Sequence, residues 1–455
     1  MAGYEKKFKL LLDEILVLKE EGHVINEKYY QDIILKYQDD LTELENIYQE
    51  MQKTPLNEHY IYVEPSTYQE IRQESDYRLL SPLFKKVTYD DIYGAWLGRI
   101  IGCMIGLPVE GATYIQIKNY LIKMKAYPLN NYFSLDEERL KEENLSFHNK
   151  ECFHGFVEYA PTDDDIRYNV LAYKLVKEKG FHFNTFDVAD NWISTLPFRD
   201  FCTAENQAYL NYINLDSVQP WGRKRGDIES TFNHTAHYLN PYRQWIGAQI
   251  RIDTYGYLAA GNPQLASKMS YHDARFSHTK NGIYGAMYFG ALISLAFVSS
   301  SIEEAIKQAL NVVPKRSAFY DAIKKTITIC ENIENRDELI VKINEVFQDY
   351  SWVHTISNAS IVVAALLYGK GNFRESICLG VMMGKDTDCN GATIGSIVGA
   401  FNGASNIPLD LKEPLNDTLY SSVCGYHPIK ISEMARLTYE LFLENKKDYK
   451  LTKTN

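Results

Sequence analysis

Two runs of glycine at strict four-residue spacing constrain the fold of this chain more than any other feature. The first run is Gly94, Gly98, Gly102 and Gly106, and the second is Gly391, Gly395, Gly399 and Gly403. Residues four apart share one face of a helix, whereas each glycine inside a helix costs up to about 1 kcal/mol relative to alanine. We therefore expect two helices, each with a smooth stripe that lets another helix approach closely.

The rest of the pattern is almost entirely helical, so the sequence predicts an all-α fold. Apolar residues recur at three- and four-residue intervals through most of the chain. The predicted helices are 4–20, 26–52, 88–107, 166–179, 185–195, 201–213, 281–299, 315–334, 336–349, 355–368, 372–383, 389–402 and 430–444. Residues 60–63 are the best candidate for a strand.

The chain divides at a polar break over residues 53–57, which follows the first predicted helices. We interpret residues 1–85 as a helical N-terminal extension, 86–445 as the main domain and 446–455 as a polar, frayed tail. The alternative is that the first helices belong to the same core as the main domain.

Charge and composition limit the partners and the compartment. The formal net charge of −11 disfavours binding to nucleic-acid phosphates or to an anionic membrane, so we expect neither as a partner. The most apolar stretch, 283–298, is shorter than the roughly 20 residues of a membrane span, and the N-terminus lacks the apolar core of a signal peptide. The seven cysteines are isolated, with no C-x-x-C pair, which is typical of a reducing compartment. We therefore expect a cytoplasmic protein.

Two acidic turns are the main candidates for chemistry. Thr162-Asp163-Asp164-Asp165 precedes one predicted helix, and Asp386-Thr387-Asp388 precedes the helix with the second glycine run. Helix capping explains one or two of these carboxylates, but the others repel one another unless a cation binds. Hard oxygen ligands suit Mg²⁺, Mn²⁺ or Ca²⁺ rather than zinc. Because glycine-lined helices pack closely, we expect them to bring both turns to one two-metal site.

Two further segments carry candidate functional residues. Glu110 directly follows the first glycine run, and residues 273–285 form a dense polar segment. Glu110 could belong to the site or be a solvated carboxylate in a turn. His278, close to a predicted helix N-terminus, could contact a phosphate or a ribose, or it could be a buried histidine that only fixes the turn. Arg251 could simply form an ion pair with Asp253.

The glycine run that ends in Glu110, the Thr-Asp-Asp at 162–164 and the Asp-x-Asp at 386–388 resemble the motifs of the ADP-ribosylglycohydrolase family. The resemblance covers residues 88–425. It implies a compact, mostly orthogonal bundle of helices with a centre of two Mg²⁺ or Mn²⁺ ions. It also implies hydrolysis of the glycosidic bond at C1″ of an ADP-ribosyl conjugate, either an ADP-ribosylated protein or a small molecule.

The resemblance further implies roles for individual residues. The metal ligands would be Thr162, Asp163, Asp164, Asp386 and Asp388. The catalytic residues would be Glu110, Asp163 and Asp164. The residues near the diphosphate and ribose of the substrate would be His278, Asn281, Gly282 and Tyr284.

Two positions depart from the family pattern. Asp165 stands where the family usually has Thr or Ser, and Cys389 stands where it usually has a metal-binding Thr. A thiol is a poor ligand for Mg²⁺, so Cys389 is the weakest of the candidate metal ligands. Together with the N-terminal extension, these departures indicate a divergent, bacterial-type branch. Another ribosyl conjugate or a nucleoside therefore stays open as substrate, and so does a non-catalytic ADP-ribose-binding protein.

Overall fold

The computed structural model describes residues 5–80, 86–145, 149–215 and 226–452. It is 66% helical, with 23 α-helices and two short strands in these residues, so the prediction of an all-α fold is confirmed. The helices are α1 (Lys7–Glu20), α2 (Glu27–Lys36), α3 (Leu41–Met51), α4 (Tyr68–Glu74), α5 (Tyr89–Gly106), α6 (Tyr114–Lys123), α7 (Glu137–Glu142), α8 (Asp164–Lys179), α9 (Thr185–Thr195), α10 (Thr203–Ile213), α11 (Ile228–His237), α12 (Gly247–Ile250), α13 (Asp253–Leu258), α14 (Pro263–Ala274), α15 (Lys280–Ala296), α16 (Ile302–Ala309), α17 (Ala318–Asn332), α18 (Arg336–Val346), α19 (Thr355–Gly369), α20 (Phe373–Met382), α21 (Thr387–Asn402), α22 (Leu409–Lys412) and α23 (Ile431–Thr452). The strands β1 (Thr418–Leu419) and β2 (Ile429–Lys430) pair antiparallel.

Two helix predictions differ from the structure at their ends. The segment 26–52 is not one helix but two, because the carboxylate of Asp40 accepts hydrogen bonds from two backbone N–H groups and so begins α3. Residues 446–455 are not a frayed tail from their first residue, since α23 continues to Thr452. The helical character of 26–52 is as predicted, whereas α23 continues to Thr452 through residues for which the sequence predicts a frayed tail.

The prediction of a strand at residues 60–63 is wrong. Residues 60–63 belong to no strand. The N–H of Val63 donates a hydrogen bond to the carbonyl of Arg316, but a strand needs a ladder of such bonds. The segment is therefore an irregular connection that contacts the main domain at Arg316.

The two glycine runs face each other, on α5 and α21. A Cβ atom added to Gly98 would overlap the carbonyl oxygen of Gly395, and one added to Gly102 would overlap the carbonyl oxygen of Gly391. The contacts run in opposite chain directions, so the two helices are antiparallel. The predicted close approach is confirmed, and each glycine stripe is the packing partner of the other.

The segment Tyr89–Val109, which contains α5, is long and apolar enough to cross a membrane by length and composition. However, 94% of its apolar window is buried inside the protein. The apolar stretch that includes α15 is likewise buried along its whole helical length. Both segments are therefore explained as core helices of the bundle.

The N-terminal helices α1, α2 and α3 build a small second core against the main domain. The main domain contributes Ala204, Leu239 and Tyr242 to this core. The predicted boundary falls on residues 81–85, which lie outside the described residues. The division of the chain at that point therefore stays a prediction, while the docking of the first helices on the main domain is visible in the structure.

A buried ion-pair network joins the N-terminal helices to the main domain. The fully buried Arg243 donates hydrogen bonds to Glu14 at 2.9 Å and to Glu21 at 2.9 Å. The ammonium of Lys280 lies 2.8 Å from the same Glu21. Removing one partner of a buried ion pair is costly, because it leaves an uncompensated charge.

Replacing Arg243 with Met is expected to destabilise the protein by about 3–5 kcal/mol, because the buried carboxylates of Glu14 and Glu21 would lose the guanidinium that they share. Chemical denaturation of the full-length proteins measures the change. Lys307→Met is the control. Lys307 forms an ion pair with Glu303, and their side chains are 49% and 60% exposed. Such an exposed pair contributes about 0–1 kcal/mol. A loss no larger than that of the control would show that Arg243 does not anchor the N-terminal helices.

Candidate active site

The first acidic turn leads into α8. Asp163 caps this helix, and its carboxylate accepts a hydrogen bond from the backbone N–H of Asp165 at 2.9 Å. The hydroxyl of Thr162, an exposed residue, accepts a hydrogen bond from the hydroxyl of Ser422 at 2.8 Å. Capping therefore engages one oxygen of Asp163 and explains only part of the acidic turn.

Asp165 is fully buried and forms an ion pair with an arginine of α5. Its carboxylate lies 2.5 Å from the guanidinium of Arg99, which also contacts the carboxylate of Asp253 at 2.9 Å. Asp165, which stands at the position where Thr or Ser is usual, thus has its own buried counter-charge. Sequence reasoning missed this pairing, although Arg99 is the only charged residue in the apolar segment 92–109. A lone charge in such a segment is the signal that could have revealed it.

The second acidic turn is held by Asn358, a residue of α19 that sequence reasoning also missed. Its side-chain oxygen accepts hydrogen bonds from the backbone N–H of Asp386 at 3.3 Å and from the side-chain amide of Asn390 at 2.8 Å. The hydroxyl of Thr387 donates to the carbonyl of Gly106 at 2.8 Å. The start of α21 is therefore tied both to α19 and to the end of α5.

The two turns and the end of α5 meet in one continuous cluster. There are three groups of potential ligand atoms, and within each group the atoms lie within 4.8 Å of one another. The groups are Glu110, Asp386 and Asp388, then Asp165, Asp388 and Cys389, and finally Cys103, Asp163 and Asp165. Asp388 and Asp165 each belong to two groups and so connect the three. The structure thus brings together most of the predicted acidic residues, and it adds Cys103 and Asp165, which were not among the predicted ligands.

Glu110 lies at the rim of the cluster, where part of the residue is exposed. The N–H of the next residue, Gly111, donates to the carbonyl of Lys385 at 2.9 Å and fixes this rim against the second turn. Loss of solvent around the carboxyl group, together with the charges of Asp386 and Asp164, raises the pKa of Glu110 to about 8. A carboxyl group with such a pKa can gain or lose a proton near neutral pH.

Burial, together with the charges of neighbouring carboxylates, raises the pKa values of the buried aspartates. Burial and the charge of Asp164 raise the pKa of Asp163 to about 7, and burial raises the pKa of Asp386 to about 6. Burial and the charge of Glu110 raise the pKa of Asp388 well above its usual range. Like charges at this separation favour either protonation or a bound cation.

The donor set fits hard divalent cations. One carboxylate oxygen each of Asp165, Asp386 and Asp388 is buried without a hydrogen-bond partner in the described part of the chain. Such oxygens are costly when unpaired, and they are the ligands that Mg²⁺ and Mn²⁺ prefer. Cys389 is buried beside Asp388, but its thiol suits a softer metal. The carboxylates, rather than the thiol, therefore fit the expected ions.

Stabilisation of the protein by Mg²⁺ or Mn²⁺ is expected to grow as the pH rises from about 6 to about 8. In the metal-free folded state, the raised pKa values of Asp386, Asp163 and Glu110 retain protons that the unfolded chain has already released, so stability falls across this range. A cation displaces those protons and offsets the loss.

Thermal melts across this pH range, with and without the cation, measure the effect. Asp388→Asn is the control, because it removes a carboxylate that two of the ligand groups share, and it should lose the pH-dependent gain. A metal-induced shift of the melting temperature that stays constant with pH would contradict the expectation.

The predicted substrate-binding residues have other partners in the structure. His278 is fully buried, and it packs against Gly282. The side chains of Asn281 and Tyr284 donate hydrogen bonds to residues 64–65 of the N-terminal segment at 3.0 Å and 2.5 Å. These residues anchor the N-terminal segment, and their contact with a substrate stays a prediction.

The predicted ion pair between Arg251 and Asp253 is wrong. Arg251 contacts Glu205 and Asp273 instead, and Asp253 pairs with Arg99. The reason is geometric, because residues two apart in a helical segment do not face each other.

Comparisons with known proteins place the chain in a family. No curated protein sequence matches it. A solved structure described as an ADP-ribosylglycohydrolase-related protein complex has a TM-score of 0.47 and 17% sequence identity, and the match covers 78% of this chain and 97% of that chain. The sequence profile of the ADP-ribosylglycohydrolases matches residues 85–448, which include both acidic turns and both glycine runs. The chain belongs to the ADP-ribosylglycohydrolase family.

Proposed function

We propose that the protein is a divalent-metal-dependent hydrolase that cleaves the glycosidic bond at C1″ of an ADP-ribosyl conjugate. The observation that carries the proposal is the meeting of Glu110 with Asp386 and Asp388 within 4.8 Å. Family membership supports the reaction type, and the unpaired buried carboxylate oxygens support the metal dependence. The substrate is an ADP-ribosylated protein or an ADP-ribose-containing small molecule.

All seven cysteines are free thiols, which supports our proposal of a cytoplasmic location.

The two acidic turns would hold the cations and orient the ribose. The ligands of two Mg²⁺ or Mn²⁺ ions would be Thr162, Asp163, Asp164, Asp386 and Asp388. Bound there, the ions supply polarisation of the ribose hydroxyls and a water of lowered pKa. The cap bond to α8 fixes Asp163, and Asn358 fixes the backbone of Asp386. Ligands held on packed helices orient the substrate, and orientation itself accelerates the reaction.

Glu110 is the general base of this proposal. Its position at the rim lets it face a substrate that arrives from solvent, while Asp386 and Asp388 remain buried below. In the metal-free protein the raised pKa of Glu110 keeps it protonated near neutral pH. That proton would be displaced when cations bind at the cluster, and the carboxylate could then accept a proton from the attacking water and return it to the leaving group.

A substrate panel tests the proposal. ADP-ribosylated protein, ADP-ribose esters and nucleosides are incubated with the protein in Mg²⁺ and in a chelator, and we expect release of ADP-ribose from a conjugate only with Mg²⁺. Glu110→Gln should lower kcat by about 10²–10⁴-fold, which is the usual contribution of a general base. Turnover of nucleosides alone would change the substrate class. Binding of ADP-ribose without any turnover would make the protein a binding module.

A further inference from the structure

A groove between the N-terminal helices and the main domain has no role in the reaction proposed above. Its volume is about 450 Å³, and α1 lines one side of it. Trp245, Tyr350 and Trp352 line it from the main domain. The indole of Trp352 is 44% exposed. A large aromatic ring that is left open to solvent in a groove is typical of a recognition surface.

The groove lies directly beside the acidic cluster. The ring of Trp352 is 3.7 Å from the position that a Cβ atom of Gly111 would take, and Gly111 follows Glu110 in the chain. The carbonyl of Trp352 accepts a hydrogen bond from the side-chain amide of Asn358 at 2.8 Å, and Asn358 also holds Asp386. A group bound against Trp352 is therefore next to the proposed general base.

The groove is negatively charged. Asp13, Glu20 and Asp349 line it, together with Lys19. Burial and the charge of Glu21 raise the pKa of Glu20 to about 7, so Glu20 carries only part of its charge at neutral pH. The ammonium of Lys19 lies 2.7 Å from the carboxylate of Glu27, so its charge is already paired. Carboxylates beside aromatic faces attract cations and repel the diphosphate of ADP-ribose. The charge of the groove therefore suits the acceptor half of a conjugate rather than its nucleotide half.

We propose that this groove binds a positively charged segment of the ADP-ribosylated protein, with an arginine or lysine side chain against Trp352. The proposal rests on the proposed function, which supplies the ADP-ribosyl group at the neighbouring cluster. It also gives the N-terminal extension a role, because α1 contributes Asp13 and Glu20 to the groove. The extension then selects the protein substrate and does not take part in bond cleavage.

Binding of unmodified peptides tests the groove without any chemistry. The probes are a peptide rich in arginine and lysine and a second peptide of equal length with glutamine at those positions. Calorimetry at low ionic strength should show about tenfold tighter binding of the basic peptide to the full-length protein. Trp352→Ala and Asp349→Lys should each remove most of this preference. Asp349 is exposed, so its replacement keeps the test open if the tryptophan variant folds poorly.

A matched charge reversal serves as the control. Glu331→Lys changes an exposed acidic residue outside the groove, with a side chain that is 60% exposed, and it should keep the preference for the basic peptide. Equal affinity of the unchanged protein for the two peptides would overturn the proposal. Equal loss of the preference in Glu331→Lys and Asp349→Lys would also overturn it, because the effect would then come from net charge alone.

Attaching the same ADP-ribosyl linkage to both peptides separates the groove from the chemistry. We expect a lower KM for the basic conjugate with the same kcat, and Trp352→Ala should raise only the KM of the basic conjugate. If both conjugates are hydrolysed with one KM, the groove proposal fails and the proposed function stands. If neither conjugate is hydrolysed while the basic peptide still binds, the proposed function fails and the groove remains a site for basic segments.

Discussion

Replacing Asp388 with Asn is expected to abolish divalent-cation binding and to lower kcat/KM by about 10³-fold or more. The carboxylate of Asp388 belongs to two ligand groups, one with Glu110 and Asp386 and one with Asp165 and Cys389. An amide keeps its shape and removes the charge that both groups share. Because a metal contributes several kcal/mol of charge stabilisation to a transition state, and about 1.4 kcal/mol corresponds to tenfold in rate, the loss should reach at least three orders of magnitude.

Calorimetric titration with Mg²⁺ and Mn²⁺ measures the binding, and conjugate hydrolysis measures the rate. Asp410→Asn is the matched control, since Asp410 pairs with Arg374 on the surface and its side chain is 51% exposed. Without metal, Asp388→Asn should be at least as stable as the unchanged protein, because it removes a buried charge from among like charges. Lost activity would therefore not come from unfolding. Full metal-dependent activity in Asp388→Asn would refute the metal mechanism.

Replacing Gly98 with Ala is expected to destabilise the protein by about 3 kcal/mol or more. The added methyl group would overlap the carbonyl oxygen of Gly395, which belongs to the backbone and cannot rotate away. Helix propensity alone predicts the opposite sign, since alanine is about 1 kcal/mol more favourable than glycine inside a helix. The direction of the change therefore decides whether packing or propensity governs the interface between α5 and α21.

Chemical denaturation and thermal melts of the metal-free proteins give the free energy of unfolding. Gly380→Ala on α20 is the control, because its methyl group would overlap only the terminal carbon of the flexible Ile394 side chain and would make ordinary contact with Ala365. This variant should lose much less stability. If Gly98→Ala were as stable as the unchanged protein, the two helices could separate at little cost, and the glycine stripes would not be a packing requirement.

The sequence predicts the acidic cluster well because its parts are local patterns. Thr162–Asp165 and Asp386–Asp388 stand out over a few residues each, and the glycine runs beside them report a close helix contact without any structure. The pairing of Arg99 with Asp165 is different, since it joins residues 66 positions apart and depends on how α5 packs against α8. Asn358 is equally hidden, because an asparagine within a helix looks the same in the sequence whether or not it supports a turn.

The fold is predictable to the same extent and for the same reason. Helical periodicity is a local signal, and it locates α5, α15 and α21 to within a few residues. The segment 60–63 lacks such a period, and its alternation of aromatic and aliphatic residues is typical of a strand as well as of an irregular connection. The hydrogen bonds from Asn281 and Tyr284 to the N-terminal segment span 217 and 219 positions. Contacts at that separation follow from the tertiary fold alone.

The antiparallel packing of α5 against α21 also limits which positions Glu110 can take relative to Asp386 and Asp388. Glycine meets opposing backbone at every fourth residue, so the next clash-free alignment lies one repeat away, about 6 Å along the helix axis. A slip of that size would carry Glu110, beyond the end of α5, out of reach of Asp386 and Asp388 at the start of α21. Smaller shifts are sterically excluded, because they would push a side chain into the backbone of the opposing helix. The distances from Glu110 to Asp386 and Asp388 can therefore be kept or lost as a whole, whereas the helix packing excludes small changes in them.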